Sequence, residues 1–167
     1  MSIMNTAIPS SCRTELRRWL QSQAGEYPYA LTLTFKQSHR VETPEGEVWR
    51  LTCASDCEAA LKKLQQKLNR AYFGRYAADK GYKSLRYLVV LEGEVSSKHL
   101  HAHMAIGGFP KDTIPSSIKS AIEDAKKLVP LFDERFELDI ADSGWHEYLA
   151  KEATASNTDN MLWQICT

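Results

Sequence analysis

The stretch that decides the fold is KHLHAHMAIG, residues 98–107. Polar and apolar residues alternate through it, and a period of two is the signature of a β-strand with one buried face. Successive side chains of a strand point to opposite faces. His99, His101 and His103 therefore project together, while Leu100, Ala102 and Met104 face the core. Just upstream, YLVVL at 87–91 is a continuous apolar run, which predicts a buried strand. A turn over 93–98 joins the two strands into a hairpin, and Gly107, Gly108 and Pro110 end it.

Outward from this hairpin, YALTLTFK at 29–36 alternates β-favouring residues and reads as another strand. Residues 39–47 are polar and contain Pro44-Glu45-Gly46, which predicts a turn, and 48–52 reads as a hairpin-paired strand. FDERFELDI at 132–140 alternates and gives one more strand. Helices are predicted over 11–24, capped by Ser11, over 56–77, capped by Asp56, from Ser116 or Ser117 to about Leu128, and over 144–153. Met161, Leu162, Trp163 and Ile165 are expected to dock on the body of the protein. The order α-β-β-α-β-β-α-β-α implies an α+β protein, an antiparallel sheet of about five strands with helices packed on it.

A chain of 167 residues fits one domain spanning 1–167. Its 43% hydrophobic and 25% charged residues suit a soluble globular protein. There is no apolar run of the ~18 residues a membrane helix needs, and the start lacks the pattern of a secretory leader, so the expectation is a cytoplasmic protein with no membrane partner. The four cysteines form no CxxC pair and read as reduced thiols rather than a zinc site.

Net charge is zero, yet its distribution is uneven. Residues 58–86 hold eight basic and two acidic residues, interleaved with Tyr72, Phe73, Tyr76 and Tyr82, whereas 123–152 holds nine acids and four bases. A basic stripe with aromatics suits a phosphate backbone and its bases, and Lys62, Lys63, Lys67, Arg70, Arg75, Lys83 and Arg86 are its candidate DNA contacts.

Two imidazoles at i and i+2 on one strand can share a metal ion if a neighbouring strand adds a ligand. The strand over 87–91 runs into Glu92, with Glu94 two residues on, and the hairpin sets one of them beside His101. Two neutral imidazoles and a carboxylate make a mixed N/O site with open positions, suited to Mg²⁺ or Mn²⁺. A second chemical feature is GWHEYLAKE at 144–152, which puts Tyr148 and Lys151 on one face of a helix with Trp145. A tyrosine beside a cation can serve as a nucleophile.

Together these features resemble the HUH endonucleases, in particular the replication initiator (Rep) proteins of rolling-circle plasmids, phages and single-stranded DNA viruses. The family's first motif is similar to Ala30 to Phe35, with Thr32, Thr34 and Phe35. Its second, His–hydrophobic–His, resembles His101-Ala102-His103, or one step earlier His99-Leu100-His101. Met104 to Ile106 supplies the apolar run that usually follows and favours the later register, with His99 in reserve. Its third, Tyr-x-x-Lys, resembles Tyr148 to Lys151. The resemblance covers about 29–152. It implies a ferredoxin-like or RRM-like sheet, a divalent metal held by His101, His103 and Glu92 (Glu94 in reserve), and Tyr148 as nucleophile with Lys151 steadying the site. It further implies metal-dependent nicking and joining of single-stranded DNA, at an origin hairpin, through a 5′-phosphotyrosyl link. The sequence holds no GxxxxGK[ST] pattern, so any helicase is expected from the host. A single-tyrosine transposase of the same superfamily, and a non-catalytic nucleic-acid-binding domain on the same fold, are the alternatives.

Overall fold

The computed structural model describes residues 11–94, 99–151 and 160–167. Its main sheet has four antiparallel strands: β1 (Tyr29–Phe35), β4 (Arg86–Glu92), β5 (His101–Gly107) and β6 (Phe132–Ile140), in the order β4-β5-β1-β6. Helix α2 (Ala54–Phe73) connects β1 to β4, and α4 (Pro115–Lys127) connects β5 to β6. This β-α-β-β-α-β path is the ferredoxin-like plan. The α+β architecture and its antiparallel sheet are as the sequence implies, with four strands in the main sheet rather than about five.

The remaining strands form a separate two-stranded ribbon, β2 (Ser38–Thr43) with β3 (Gly46–Leu51). The polar stretch expected to be a turn is therefore mostly strand, and the 48–52 segment pairs with it rather than with the main sheet. Pro44 and Glu45 remain as the turn, followed by Gly46 at φ 121°, a conformation side chains with a Cβ resist.

Burial follows the period of two. Leu31, Leu33 and Phe35 of β1, Val89 and Leu91 of β4, and Ala102, Met104 and Ile106 of β5 pack under α2 and α4. Leu61, Leu64 and Leu68 of α2 and Ile118 and Ile122 of α4 complete this layer. Fully burying each such side chain contributes roughly 1.5–3 kcal/mol. The opposite face of the sheet presents Leu88, Val90 and Ala105, covered by Leu16 and Leu20 of α1 (Cys12–Ser22) and by Leu149 and Ala150 beside α5 (Ser143–Tyr148).

Several helix boundaries differ from expectation, and α4 starts at Pro115, ahead of Ser116 and Ser117. Helix α2 starts at Ala54 with Cys53 as its cap; Asp56 sits in the first turn and accepts the Cys53 backbone N–H at 3.0 Å. Gly74, at φ 78°, separates α2 from a short α3 (Arg75–Asp79). Helix α5 stops at Tyr148, so Lys151 lies in the turn beyond it; 152–153 of the expected helix, and 95–98 of the expected hairpin turn, lie outside the described residues.

The C-terminal segment docks on the open edge of β4. Leu91 N–H donates to Asn160 O at 2.9 Å, Leu162 N–H to Val89 O at 2.9 Å, and Thr167 N–H to Tyr87 O at 2.8 Å. Met161, Leu162 and Ile165 are buried there, while Trp163 packs on Trp19 at 5.7 Å. The segment satisfies backbone groups that an edge strand would expose. Among the described residues, no helix is long and apolar enough to cross a membrane.

Candidate metal and nucleophile site

The antiparallel registers bring the site together. Glu92 pairs with His101 and Val90 with His103 across β4–β5, while Thr34 pairs with His101 and Thr32 with His103 across β1–β5. Thr32, Thr34, Glu92, His101 and His103 share the sheet face that carries α1 and α5. Phe35 belongs to the other face, stacked on Phe132 at 5.2 Å.

Glu92, His101 and His103 each offer one ligand atom, and these atoms all lie within 4.8 Å of one another. His101 Nε2 is 3.2 Å from Glu92 Oε2, and its Nδ1–H donates to the backbone carbonyl of His99 at 2.9 Å. His103 is turned by Thr32, whose hydroxyl lies 3.0 Å from Nδ1. Its Nε2 consequently faces the carboxylate at 3.5 Å. Glu92 Oε1 and His103 Nε2 are both buried without a hydrogen-bond partner. Unpaired buried polar atoms are costly, and a cation between them would satisfy both. The residues thus fit a metal ion, with two nitrogens and a carboxylate as ligands. Burial raises the Glu92 carboxyl, but contacts with His103 and Lys151 outweigh it and bring the pKa down to about 2. A carboxylate kept charged is what a cation site requires.

The reserve ligands fall elsewhere. Strand β5 begins at His101, and His99 precedes it, bonded to the Gln37 amide at 2.9 Å. The later His-x-His register is therefore the one whose imidazoles meet Glu92. Past Glu92 the chain turns at Gly93, φ 100°, where a Cβ would lie 2.7 Å from the His99 carbonyl oxygen. That bend ends the alternation and leaves Glu94 exposed, apart from the triad.

Helix α5 lays the aromatic residues over His103. Asp142 caps the helix by accepting the Trp145 backbone N–H at 2.8 Å, and the Trp145 indole N–H donates to Met104 O at 3.2 Å. Trp145 stacks on Tyr148 at 5.6 Å and 17°, and the Tyr148 ring meets His103 edge-on at 5.0 Å. Lys151 Nζ donates to the Tyr148 hydroxyl at 3.1 Å and to Glu92 Oε2 at 3.3 Å. The Tyr148 bond raises the Lys151 pKa; partial burial opposes this and Glu92 reinforces it. One ammonium thus links the tyrosine to the triad.

No protein-family model, curated protein or solved structure matches this chain significantly. The site therefore stands on its own geometry.

The basic stripe does not surround this site. Helix α2, carrying Lys62, Lys63, Lys67 and Arg70, packs on the opposite face of the sheet. Lys62 pairs with Glu58, Arg70 and Arg75 with Asp79, and Arg86 with Glu26. Arg86 begins β4 and Glu92 ends it, a separation of about 20 Å. Lys83 lies in the loop before β4 and is exposed. Two residues that order the site have no chemical signature in the sequence: Gln37, which holds His99, and Met104, whose carbonyl anchors Trp145. Both act through contacts between distant segments.

Proposed function

We propose that this protein is an HUH-type endonuclease of the Rep kind, which nicks and rejoins single-stranded DNA through Tyr148 in the initiation of rolling-circle replication. The observation that carries the reading is the Lys151 ammonium, bonded both to the Tyr148 hydroxyl and to the carboxylate of the Glu92–His101–His103 triad. A nucleophile, a cation and a set of metal ligands on one sheet face are the parts that phosphoryl transfer needs.

Glu92, His101 and His103 would hold Mg²⁺ or Mn²⁺, which when bound polarises a phosphate oxygen. The Tyr148 oxygen attacks phosphorus, giving up its proton to solvent as the O–P bond forms. The bond from phosphorus to the 3′ oxygen breaks, and that oxygen takes a proton to become a free 3′-hydroxyl. The 5′ end remains on Tyr148 as a phosphodiester. Its bond energy is conserved, so a 3′-hydroxyl can reverse the step and rejoin the strand. Lys151 orients the attacking oxygen and balances charge developing at the phosphate. Trp145 limits the tyrosine ring to one plane by stacking on it.

The test is a denaturing gel of end-labelled, randomised single-stranded DNA incubated with protein and Mn²⁺ or EDTA. The expected result is an SDS-resistant protein–DNA adduct in Mn²⁺ only, absent from His101→Ala. DNA binding with no adduct in Mn²⁺ would instead favour a non-catalytic binding domain.

A further inference from the structure

The ribbon is the least explained part of the molecule. An isolated two-stranded hairpin gains little stability in water, and every residue of β3 is exposed. Trp49 leaves 67% of its surface in solvent, and Val48 and Leu51 are exposed beside it. A large indole held out on a strand that covers no core calls for a ligand.

The surroundings say which kind. Arg40 pairs with Trp49 across the ribbon, its guanidinium 5.4 Å from the indole centroid. Both line a cavity of about 460 Å³, within the range of roughly 300–1,000 Å³ typical of small-ligand clefts. Its other walls include Lys36, Lys63 and the apolar Val129-Pro130-Leu131 segment. Arg40 is paired with Glu47, and Asp56, an acid that also lines the cavity, is paired with Arg50 from outside it. Among the described residues, Lys36 and Lys63 have no such carboxylate partner and supply the cavity's unbalanced positive charge. An aromatic face, an apolar wall and free ammonium groups are complementary to a nucleotide, with its flat base and anionic phosphate.

One wall residue of the cavity, Lys36, lies at the triad's end of the sheet. Lys36 immediately follows β1, whose Thr34 lies opposite His101. It also lines a second groove of about 450 Å³, whose walls include Gln37, Gly93 beside Glu92, and His99 two residues before His101. From Thr34 to Arg40 the chain spans at most about 20 Å, a distance that a few unpaired nucleotides can bridge.

We infer that Trp49 and Arg40, with Lys36 and Lys63, form a nucleotide-binding site that grips an unpaired base of the DNA strand engaged at the triad. The base stacks on the indole, and its phosphates lie between the two lysines. The inference rests on the single-stranded DNA reading above and adds to it the place where the strand is held.

The test is fluorescence anisotropy with a labelled 12-nucleotide oligothymidylate in EDTA, where no cleavage interferes. Trp49→Ala should weaken binding about tenfold, and Trp49→Phe should restore most of it. The Lys36→Gln/Lys63→Gln double variant should lower the slope of log affinity against log salt by about 1.4, the value for two phosphate contacts on a single strand. Wild-type binding unchanged in Trp49→Ala would overturn the site while leaving the nicking proposal intact. No binding of any single strand by wild type would overturn both. Equal Trp49-dependent binding of a 12-nucleotide oligouridylate would overturn DNA as the ligand.

Discussion

The Thr32 hydroxyl lies 3.0 Å from His103 Nδ1, across the ladder that joins β1 to β5. This contact fixes which imidazole nitrogen faces Glu92. It gives Thr32 a role: it positions a member of the candidate metal triad rather than joining it. Partners of this kind typically govern metal affinity by 10- to 100-fold. Thr32→Val should therefore weaken Mn²⁺ binding by about 10-fold or more in titration calorimetry, with little change in the fold. Unchanged affinity would remove Thr32 from the site.

Metal binding should also stabilise the protein. At a free Mn²⁺ concentration of 100 times Kd, linkage adds about 2.7 kcal/mol, which for a chain of this size raises Tm by roughly 5–10 °C. A thermal melt of wild type with and without Mn²⁺ should display this shift. His101→Ala and His103→Ala should not respond to the ion, and EDTA should return wild type to its metal-free Tm.

Trp145 lets the placement of the proposed nucleophile be tested apart from metal binding. It stacks on Tyr148 and donates to the Met104 carbonyl, yet supplies no ligand to the triad. Trp145→Ala should lower the rate of adduct formation by tenfold or more while Mn²⁺ affinity stays within about twofold of wild type. Parallel losses in both measurements would show that the indole supports the whole site instead.

Part of the acid sensitivity should lie where the ribbon meets α2. Burial raises the Asp56 carboxyl, but hydrogen bonds from the Cys53 thiol and backbone, then the charges of Arg50 and His39, hold it below its ordinary value of 3.8. A carboxyl depressed in the folded state contributes stability above its unfolded pKa and loses it as pH falls through the folded value. Asp56→Asn should cost about 0.5–2 kcal/mol near neutrality, as loss of a helix-start partner does. In urea melts the difference from wild type should shrink progressively below about pH 4. A constant difference down to pH 2 would assign the effect to packing rather than to charge.

Most of the main sheet was legible because its strands bury one or both faces. The period of two in β5 and the apolar run of β4 are consequences of that burial, so both can be read without coordinates. Hairpin register narrows the partner of His101 to Glu92 or Glu94, and the β4–β5 ladder selects Glu92. Strand β2 was not legible. SHRVET is polar and nowhere fully buried, so its conformation is set by pairing with β3 and leaves no hydrophobic trace. Glu94 shows a different limit, since strand alternation places it beside Glu92 until Gly93 turns the chain away. The basic stripe shows a third. Its residues were visible in the sequence, but which sheet face α2 covers depends on the crossover between β1 and β4, and that put the stripe behind the triad.

The most direct measurement is to map the covalent bond itself. The adduct formed in Mn²⁺ with single-stranded DNA would be digested with nuclease and protease, and the modified peptide sequenced by mass spectrometry. The expected result is a nucleotide 5′-phosphate esterified to Tyr148, with no adduct from Tyr148→Phe. A nucleotide found on another residue, or an adduct that survives in Tyr148→Phe, would contradict it.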